Sequence, residues 1–174
     1  MTGTCLFGDR GRPVAVPALL WTPRSVTYAD LDTAPGTPLP VTMIDREDAA
    51  SVAEQLGGRL PRSVEWEWMA TGPARRRFPW GDQPWTEQRA VLLPTGCDGP
   101  QTVGSCPGGA TPDGLLDVAG NVWEWTATTV LGGGAVIRGG SYASPPLYAQ
   151  CTFLNAAPAE LRSAGIGFRL VREP

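Results

Sequence analysis

The sequence contains no histidine among its 174 residues. Within this chain, that absence excludes Ser-His-Asp and Cys-His nucleophilic sites, three-histidine metal centres and the iron site made of two histidines and one carboxylate. Any acid-base chemistry that the chain carries out must therefore use carboxylates, tyrosine or cysteine.

Long apolar runs are also absent. No stretch approaches the roughly eighteen apolar residues of a membrane-spanning helix, and residues 1–13 lack the basic and apolar regions of a signal peptide. The net charge is -3, and the basic residues are scattered apart from residues 75–77, which we interpret as a solvated loop. We therefore expect a cytoplasmic protein that binds neither membranes nor nucleic acid.

No CxxC pair occurs in the chain. Its four cysteines are Cys5, Cys97, Cys106 and Cys151, and in a reducing compartment we expect them to be free thiols. Cys97 and Cys106 are the closest pair in sequence, but spacing alone leaves open whether they meet in the fold.

Glycine and proline are abundant, at 22 and 18 residues, yet 42% of the residues are apolar. This composition is typical of an ordered, loop-rich protein rather than a disordered one. The length fits a single domain over residues 1–174. Prolines are dense between residues 13 and 40, where they permit only short or edge strands.

Two helices are predicted after this region. Asp45 can cap a helix whose apolar residues recur at helical spacing up to Leu56, before a Gly-Gly pair. A second helix is predicted from Ser63 to Ala70, with acidic residues in its first turn. Strand-like runs follow at residues 122–125, 135–138 and 168–171, so the pattern predicts an α+β domain.

Four motifs stand in order along the chain: GRLPRSVEWEWMA at 58–70, RRFPWGD at 76–82, PDGLLDVAGNVWEW at 112–125, and RGGSY at 138–142 with GFRLV at 167–171. Over residues 40–172 they closely resemble the family of formylglycine-generating enzymes, or sulfatase-modifying factors. That family also includes the catalytic domain of ergothioneine-type sulfoxide synthases and a pyoverdine-maturation protein. The resemblance implies an α+β, C-type lectin-like fold with little regular secondary structure. Because only 58 residues precede Arg59, we expect a shortened member.

The resemblance also implies where a copper site would lie. The family's enzymes bind Cu(I) between two cysteines after the GGSY segment, and in this chain the two positions hold Ser144 and Ala149. Cys151 lies two residues further on, where it is either a lone thiol near the site or a small buried residue. We therefore expect no copper. We also expect no iron, because the sulfoxide synthases hold iron with histidines.

A structural calcium ion is predicted from the same resemblance. The family's ligand positions match the side chains of Asp117 and Glu124 and the backbone carbonyls of Gly120 and Val122, which are hard oxygen ligands for a hard cation. The alternative is that the two carboxylates only accept hydrogen bonds within an irregular loop. A second calcium site of the family lacks its asparagine, since Val91 takes that position, so one Ca²⁺ is expected.

The tryptophans and two arginines of the motifs are expected to be structural. Five tryptophans are predicted to fill the core: Trp66, Trp68, Trp80, Trp123 and Trp125. Trp21 and Trp85, outside the motifs, are expected at a surface or cleft. Arg138 and Arg169 are predicted to tie loops together as buried arginines.

Two functional hypotheses remain open. The first is a binding or accessory module whose loop over residues 142–166 recognises a peptide, a metabolite or a protein partner, with four candidate polar residues: Ser144, Tyr148, Gln150 and Asn155. The second is a divergent enzyme that tailors a peptide or secondary metabolite, with Tyr148, Cys151 or Glu160 in proton transfer or thiol chemistry. Because a shortened domain can expose apolar surface, we also predict either a homodimer or docking to another protein.

Overall fold

The computed structural model describes residues 3–7, 12–31, 36 and 38–174, with side chains from residue 14 onward. Two α-helices lie in this part of the chain: α1 (Arg46–Gln55) and α2 (Ser63–Thr71). Both confirm the helices predicted from sequence. Within the described ranges, neither is long and apolar enough to cross a bilayer.

Helix α1 begins as its sequence predicts. The Asp45 carboxylate accepts a hydrogen bond from the backbone N–H of Asp48, 2.9 Å away, which satisfies one of the free donors of the first turn. Ala49 and Ala53 on the inner face are fully buried in the main core, while Val52 and Leu56 pack at its edge. The helix thereby lies against the central sheet.

Helix α2 is buried on most of its surface. Trp66 and Met69 belong to a second apolar cluster, and the helix packs against both the first hairpin and the central sheet. It ends at Gly72, whose φ of 58° is a conformation that favours glycine. Its charged residue Glu65 is held by Arg59, with N–O distances of 2.8 and 3.1 Å.

The strands are short and form three small sheets. The strands are β1 (Gly3–Phe7), β2 (Arg12–Val16), β3 (Leu20–Trp21), β4 (Trp123–Val130), β5 (Gly134–Arg138), β6 (Leu154–Pro158), β7 (Ile166–Gly167) and β8 (Val171–Arg172). Strand β1 pairs with β2, and β3 pairs with β8. The central sheet has the order β6-β5-β4-β7, in which only β4 and β7 are parallel.

One predicted strand differs from the structure, and one segment of the proline-rich region forms a turn. The run at residues 168–171 does not form one strand, because Phe168 and Leu170 accept backbone bonds from Val26 and Thr22 in an irregular pairing. The segment Tyr28–Leu31 forms a 3-10 turn, which the Asp30 carboxylate stabilises by accepting from the backbone N–H of Thr27 at 2.8 Å.

Strand β6 lies at an edge of the central sheet. Its register pairs Asn155 with Ile137 and Pro158 with Gly134 of β5. The Asn155 side-chain oxygen accepts the backbone N–H of Ala156 at 2.9 Å, and Pro158 has no N–H. The outer edge of β6 therefore has few backbone N–H groups that are free to pair with another strand.

The tryptophan predictions are confirmed in part. Trp66, Trp123 and Trp125 are buried, and the Trp125 indole donates to the Ile44 carbonyl at 3.0 Å. The other four tryptophans are half-buried at the margins of the apolar clusters: Trp21, Trp68, Trp80 and Trp85.

Candidate functional site

A groove opens beside the sheet where β5 and β6 meet the segments 141–143 and 161–166. Its cavity volume is about 370 Å³, which is in the range of small-ligand sites. Its floor includes the Trp123 ring, and its polar lining comes from Ser141, Tyr142, Asn155 and Ser163. No aspartate, glutamate, arginine or cysteine of the described chain lines it. The predicted ligand loop therefore does border a groove, but mainly through residues other than those predicted.

Ser144 and Ala149, the two positions of the family's copper thiolates, are buried and do not line this groove. Ser144 is buried; its hydroxyl accepts the backbone N–H of Ser141 at 3.0 Å and lies 3.2 Å from the Ser141 hydroxyl. Ala149 is buried in a small apolar cluster with Phe78 and Leu92. The pair thus offers one satisfied hydroxyl and one methyl group, neither of which suits Cu(I).

Cys151 lies in the core rather than in the groove. Its side chain has no exposed surface and packs in the cluster of Trp66, Met69 and Val118. Burial raises the pKa of the Cys151 thiol to about 12. At neutral pH it is therefore a thiol, and the geometry favours the interpretation as a small buried residue over that of a reactive group.

Tyr148 and Gln150 do not line the groove. The Tyr148 ring stacks on Phe153, with centroids 4.4 Å apart and planes 18° from parallel, and both rings lean against Trp123. Tyr148 therefore supports the groove floor from behind. Gln150 is half-buried in the turn after the 3-10 segment Pro146–Ala149.

Glu160 faces a different depression, on the other side of its loop. This cavity of about 550 Å³ lies beside α1 and includes Asp45, Arg46, Glu47 and Glu54. The catalytic candidates Tyr148, Cys151 and Glu160 are thus placed in an aromatic stack, a buried cluster and a surface depression, and the structure does not bring them together. Of the four predicted ligand-binding residues, Asn155 alone lines the groove.

Glu124, one of the predicted calcium ligands, accepts hydrogen bonds within the chain at both of its carboxylate oxygens. Both carboxylate oxygens of Glu124 accept from Nε of Arg169, at 2.9 and 2.7 Å. Oε1 also accepts from the Ser25 hydroxyl at 2.9 Å, and Oε2 from the Trp66 indole at 2.7 Å. A divalent cation at Glu124 would have to displace these bonds and would meet the guanidinium charge of Arg169. The contacts agree with the alternative of a carboxylate that accepts internal hydrogen bonds.

The rest of the predicted calcium loop is held by backbone contacts. Asp117, at φ 51°, accepts the backbone N–H of Gly104 at 2.6 Å, and burial raises the pKa of its carboxyl group. Gly120 has φ 78°, and a Cβ there would lie 2.4 Å from the Val91 carbonyl oxygen, so glycine is required. That carbonyl accepts from the Asn121 N–H at 2.8 Å. Calcium binding stays a prediction, which the Glu124 contacts do not support.

The two motif arginines are buried, as predicted. Arg138 contacts the Glu67 carboxylate and the Ser63 hydroxyl, both at 2.8 Å, and Arg169 contacts Glu124 and the Leu116 carbonyl. They tie the sheet to α2 and to the loop before β4.

Several functional features escape sequence reasoning. Ser141, Tyr142 and Ser163 line the groove, and the GGSY motif was the one signal that could have identified the first two. Cys97 and Cys106 are free thiols, and burial raises the pKa of Cys106.

Comparison with known proteins agrees with this fold and with the motifs. Residues 22–174 match the family model described as the sulfatase-modifying factor enzyme 1-like domain. The chain is 32% identical over 157 residues to hercynine oxygenase of Mycolicibacterium smegmatis, a match that covers 74% of this chain and 36% of that protein. It is 37% identical over 126 residues to the formylglycine-generating enzyme of Mycobacterium tuberculosis, covering 65% of this chain and 40% of that protein.

Among solved structures, PvdO from Pseudomonas aeruginosa superposes with a TM-score of 0.82 at 22% identity, covering 100% of this chain and 92% of that one. This likeness shows the predicted α+β, C-type lectin-like fold of the formylglycine-generating enzyme type. The chain spans less than half the length of the two enzymes that it matches. On the family match and on these identities, the chain belongs to the sulfatase-modifying factor family of formylglycine-generating enzymes.

Proposed function

We propose that this chain is a binding module of its family, which holds a peptide or small metabolite in the groove beside β5 and β6 without copper or iron oxidation chemistry. The observation that carries the proposal is the pairing of a formed groove with Ser144 and Ala149 at the two copper positions. A Cu(I) site needs soft ligands, and the nearest thiol, Cys151, is buried in the core.

The net charge and the free cysteines support a cytoplasmic location for this binding module. The net charge of -3 gives no attraction to nucleic acid or to anionic lipid. Cys97, Cys106 and Cys151 are free in the structure, which fits a reducing compartment, so we place the module in the cytoplasm.

A divergent enzyme is the second candidate. The observation that favours it is the 32% and 37% identity to proteins named hercynine oxygenase and formylglycine-generating enzyme. Such an enzyme would tailor a peptide or secondary metabolite in the same groove, where Ser141, Tyr142 and Ser163 supply hydroxyl groups.

Copper titration with a paired variant tests whether the chain lacks the copper chemistry of its family. The purified protein is titrated with Cu(I) and then incubated with oxygen, a thiol reductant and a capped, cysteine-containing heptapeptide. We expect no stoichiometric copper and no change in the peptide mass, while the peptide perturbs amide resonances of groove residues such as Ala143 and Gly165.

The matched control restores the thiolates. The double variant Ser144→Cys, Ala149→Cys carries two thiols at the family's copper positions and is expected to bind Cu(I) stoichiometrically. If the unaltered chain binds copper as tightly as this variant, or changes the mass of the peptide, the binding-module proposal is wrong and the enzyme candidate replaces it.

A further inference from the structure

We infer that the groove selects an uncharged ligand rich in carbonyl oxygens, an inference that rests on the proposed binding function. Three features of the groove point to this ligand class. The charged side chains of the loop lie outside the groove, polar side chains in it already accept hydrogen bonds from the backbone, and several hydrogen-bond donors remain free.

The charged side chains of the loop are turned away from the groove. Within residues 142–166, Glu160 and Arg162 are the two charged residues. Glu160 lines the depression beside α1, and the Arg162 guanidinium binds the carboxylates of Asp45 and Asp48. A charged group on a ligand would therefore leave water without meeting an opposite charge in the groove.

Two polar side chains of the groove already accept hydrogen bonds from backbone N–H groups of the protein. The side-chain oxygen of Asn155 takes the N–H of Ala156 at 2.9 Å, which leaves its NH₂ group as the available partner. The Ser163 hydroxyl takes the N–H of Gly165 at 3.1 Å, which leaves its O–H free to donate. Both side chains are thus predisposed to donate to a ligand.

Two further donors complete the lining. The Tyr142 hydroxyl and the Trp123 indole N–H make no side-chain hydrogen bond with any residue in the described ranges, and both side chains border the groove. Donors around an aromatic floor match the carbonyl oxygens and apolar side chains of a neutral peptide segment, or of a small neutral amide. The peptide and the small amide present the same kind of groups to the groove, and their relative affinities distinguish them.

The test uses the full chain and defined probes. Three capped pentapeptides with serine, aspartate or lysine at the central position, together with N-acetylalanine amide, are titrated while amide resonances of Ala143, Asn155 and Gly165 are followed. We expect the serine peptide to bind about tenfold or more tightly than either charged peptide, because burial of an unpaired charge opposes binding. Its affinity should not change with added salt or between pH 5 and 8. A comparable response to N-acetylalanine amide would identify the small amide, rather than a peptide, as sufficient.

Asn155→Asp tests the donor assignment. The aspartate keeps an oxygen for the Ala156 N–H but replaces the free NH₂ with a negatively charged acceptor, so the affinity for the serine peptide should fall about tenfold or more. Gln88→Glu adds the same charge at an exposed position outside the groove and should leave the affinity unchanged. Thermal melts verify that both variants remain folded.

The outcomes distinguish this inference from the proposed function. Tighter binding of a charged peptide at the same groove resonances would overturn the neutral-ligand inference and leave the binding function standing. Unchanged affinity in Asn155→Asp would overturn the donor assignment. If none of the four probes perturbs the groove, both the inference and the binding proposal fail.

Discussion

The Glu124 carboxylate lies 2.9 and 2.7 Å from Nε of Arg169, and neither side chain reaches solvent. The same carboxylate accepts from Ser25 and from Trp66. One acidic group on β4 is thus bonded to α2, to the segment between β7 and β8, and to the N-terminal segment at residue 25. The position that the family resemblance assigns to calcium is a buried carboxylate that accepts hydrogen bonds from Arg169, Ser25 and Trp66.

Removal of the Glu124 charge should destabilise the protein strongly. Glu124→Gln leaves the Arg169 guanidinium buried without its counter-charge, for which we expect a loss of about 3–5 kcal/mol in the free energy of unfolding. Urea denaturation checks the value. Glu173→Gln, which removes an exposed partner of Arg59, should cost less than about 1 kcal/mol. Similar losses in the two variants would show that the buried pair is not the main connection.

Calcium should have no effect on stability if these hydrogen bonds replace the ion. We expect the same melting temperature with added Ca²⁺ and with a chelator. Asp117→Asn should keep the acceptor for the Gly104 N–H and tolerate the φ of 51°.

The sign of the Asp117→Asn effect follows from the pKa. Because burial raises the pKa of Asp117, folding favours its protonated form, and this contribution is lost as the pH rises through the folded-state value. A neutral asparagine should therefore leave the stability at pH 7 equal or higher. A calcium-dependent rise in melting temperature that disappears in Asp117→Asn would instead establish the predicted calcium site.

Cys151 should resist alkylation in the folded protein. With a pKa raised to about 12 and no exposed surface, its thiol should remain unmodified by iodoacetamide at pH 8, whereas the half-buried Cys97 should react. Peptide mass spectrometry measures both, and a denatured sample labels every cysteine as the reference. Modification of Cys151 as fast as Cys97 would contradict its burial and support a reactive role for its thiol.

Acid should weaken the turn at Tyr28–Leu31. The hydrogen bond from Arg24 lowers the pKa of Asp30 to about 2, so its stabilising contribution is present above the ordinary carboxyl pKa. It is lost as the pH falls from about 4 towards about 2. Because both side chains are about one-third exposed, we expect less than about 1 kcal/mol. The stability difference between the unaltered chain and Asp30→Asn should shrink over this pH range; a constant difference would contradict the assignment.

The helices could be predicted from sequence because their signals are local. Asp45 lies three residues before the N–H that it caps. Ala49 and Ala53 are four residues apart and therefore lie on the same face of the helix. The groove could not be predicted in this way. Trp123 and Asn155 lie far apart in the sequence and meet only through the pairing of β4, β5 and β6.

The role of each groove side chain was equally inaccessible from sequence. The sequence shows that Asn155 is polar, but the direction of its amide depends on the Ala156 N–H, which only the folded backbone places within reach. Tyr148 resembled a ligand-binding residue, yet its stacking on Phe153 makes it a support. The motifs locate the copper positions in the sequence. The burial of Cys151 depends on its packing against α2, which the sequence does not show.

The donor-poor edge of β6 has a consequence for how copies of this protein can meet. A strand from another copy would approach Pro158, which has no N–H, and an Ala156 N–H already bonded to Asn155, so growth of the sheet from molecule to molecule is disfavoured. Side-chain packing is an alternative route to the predicted homodimer, and Leu147 and Leu154 offer exposed apolar surface for it. The edge thus protects the chain from fibrous aggregation while leaving the neighbouring groove open.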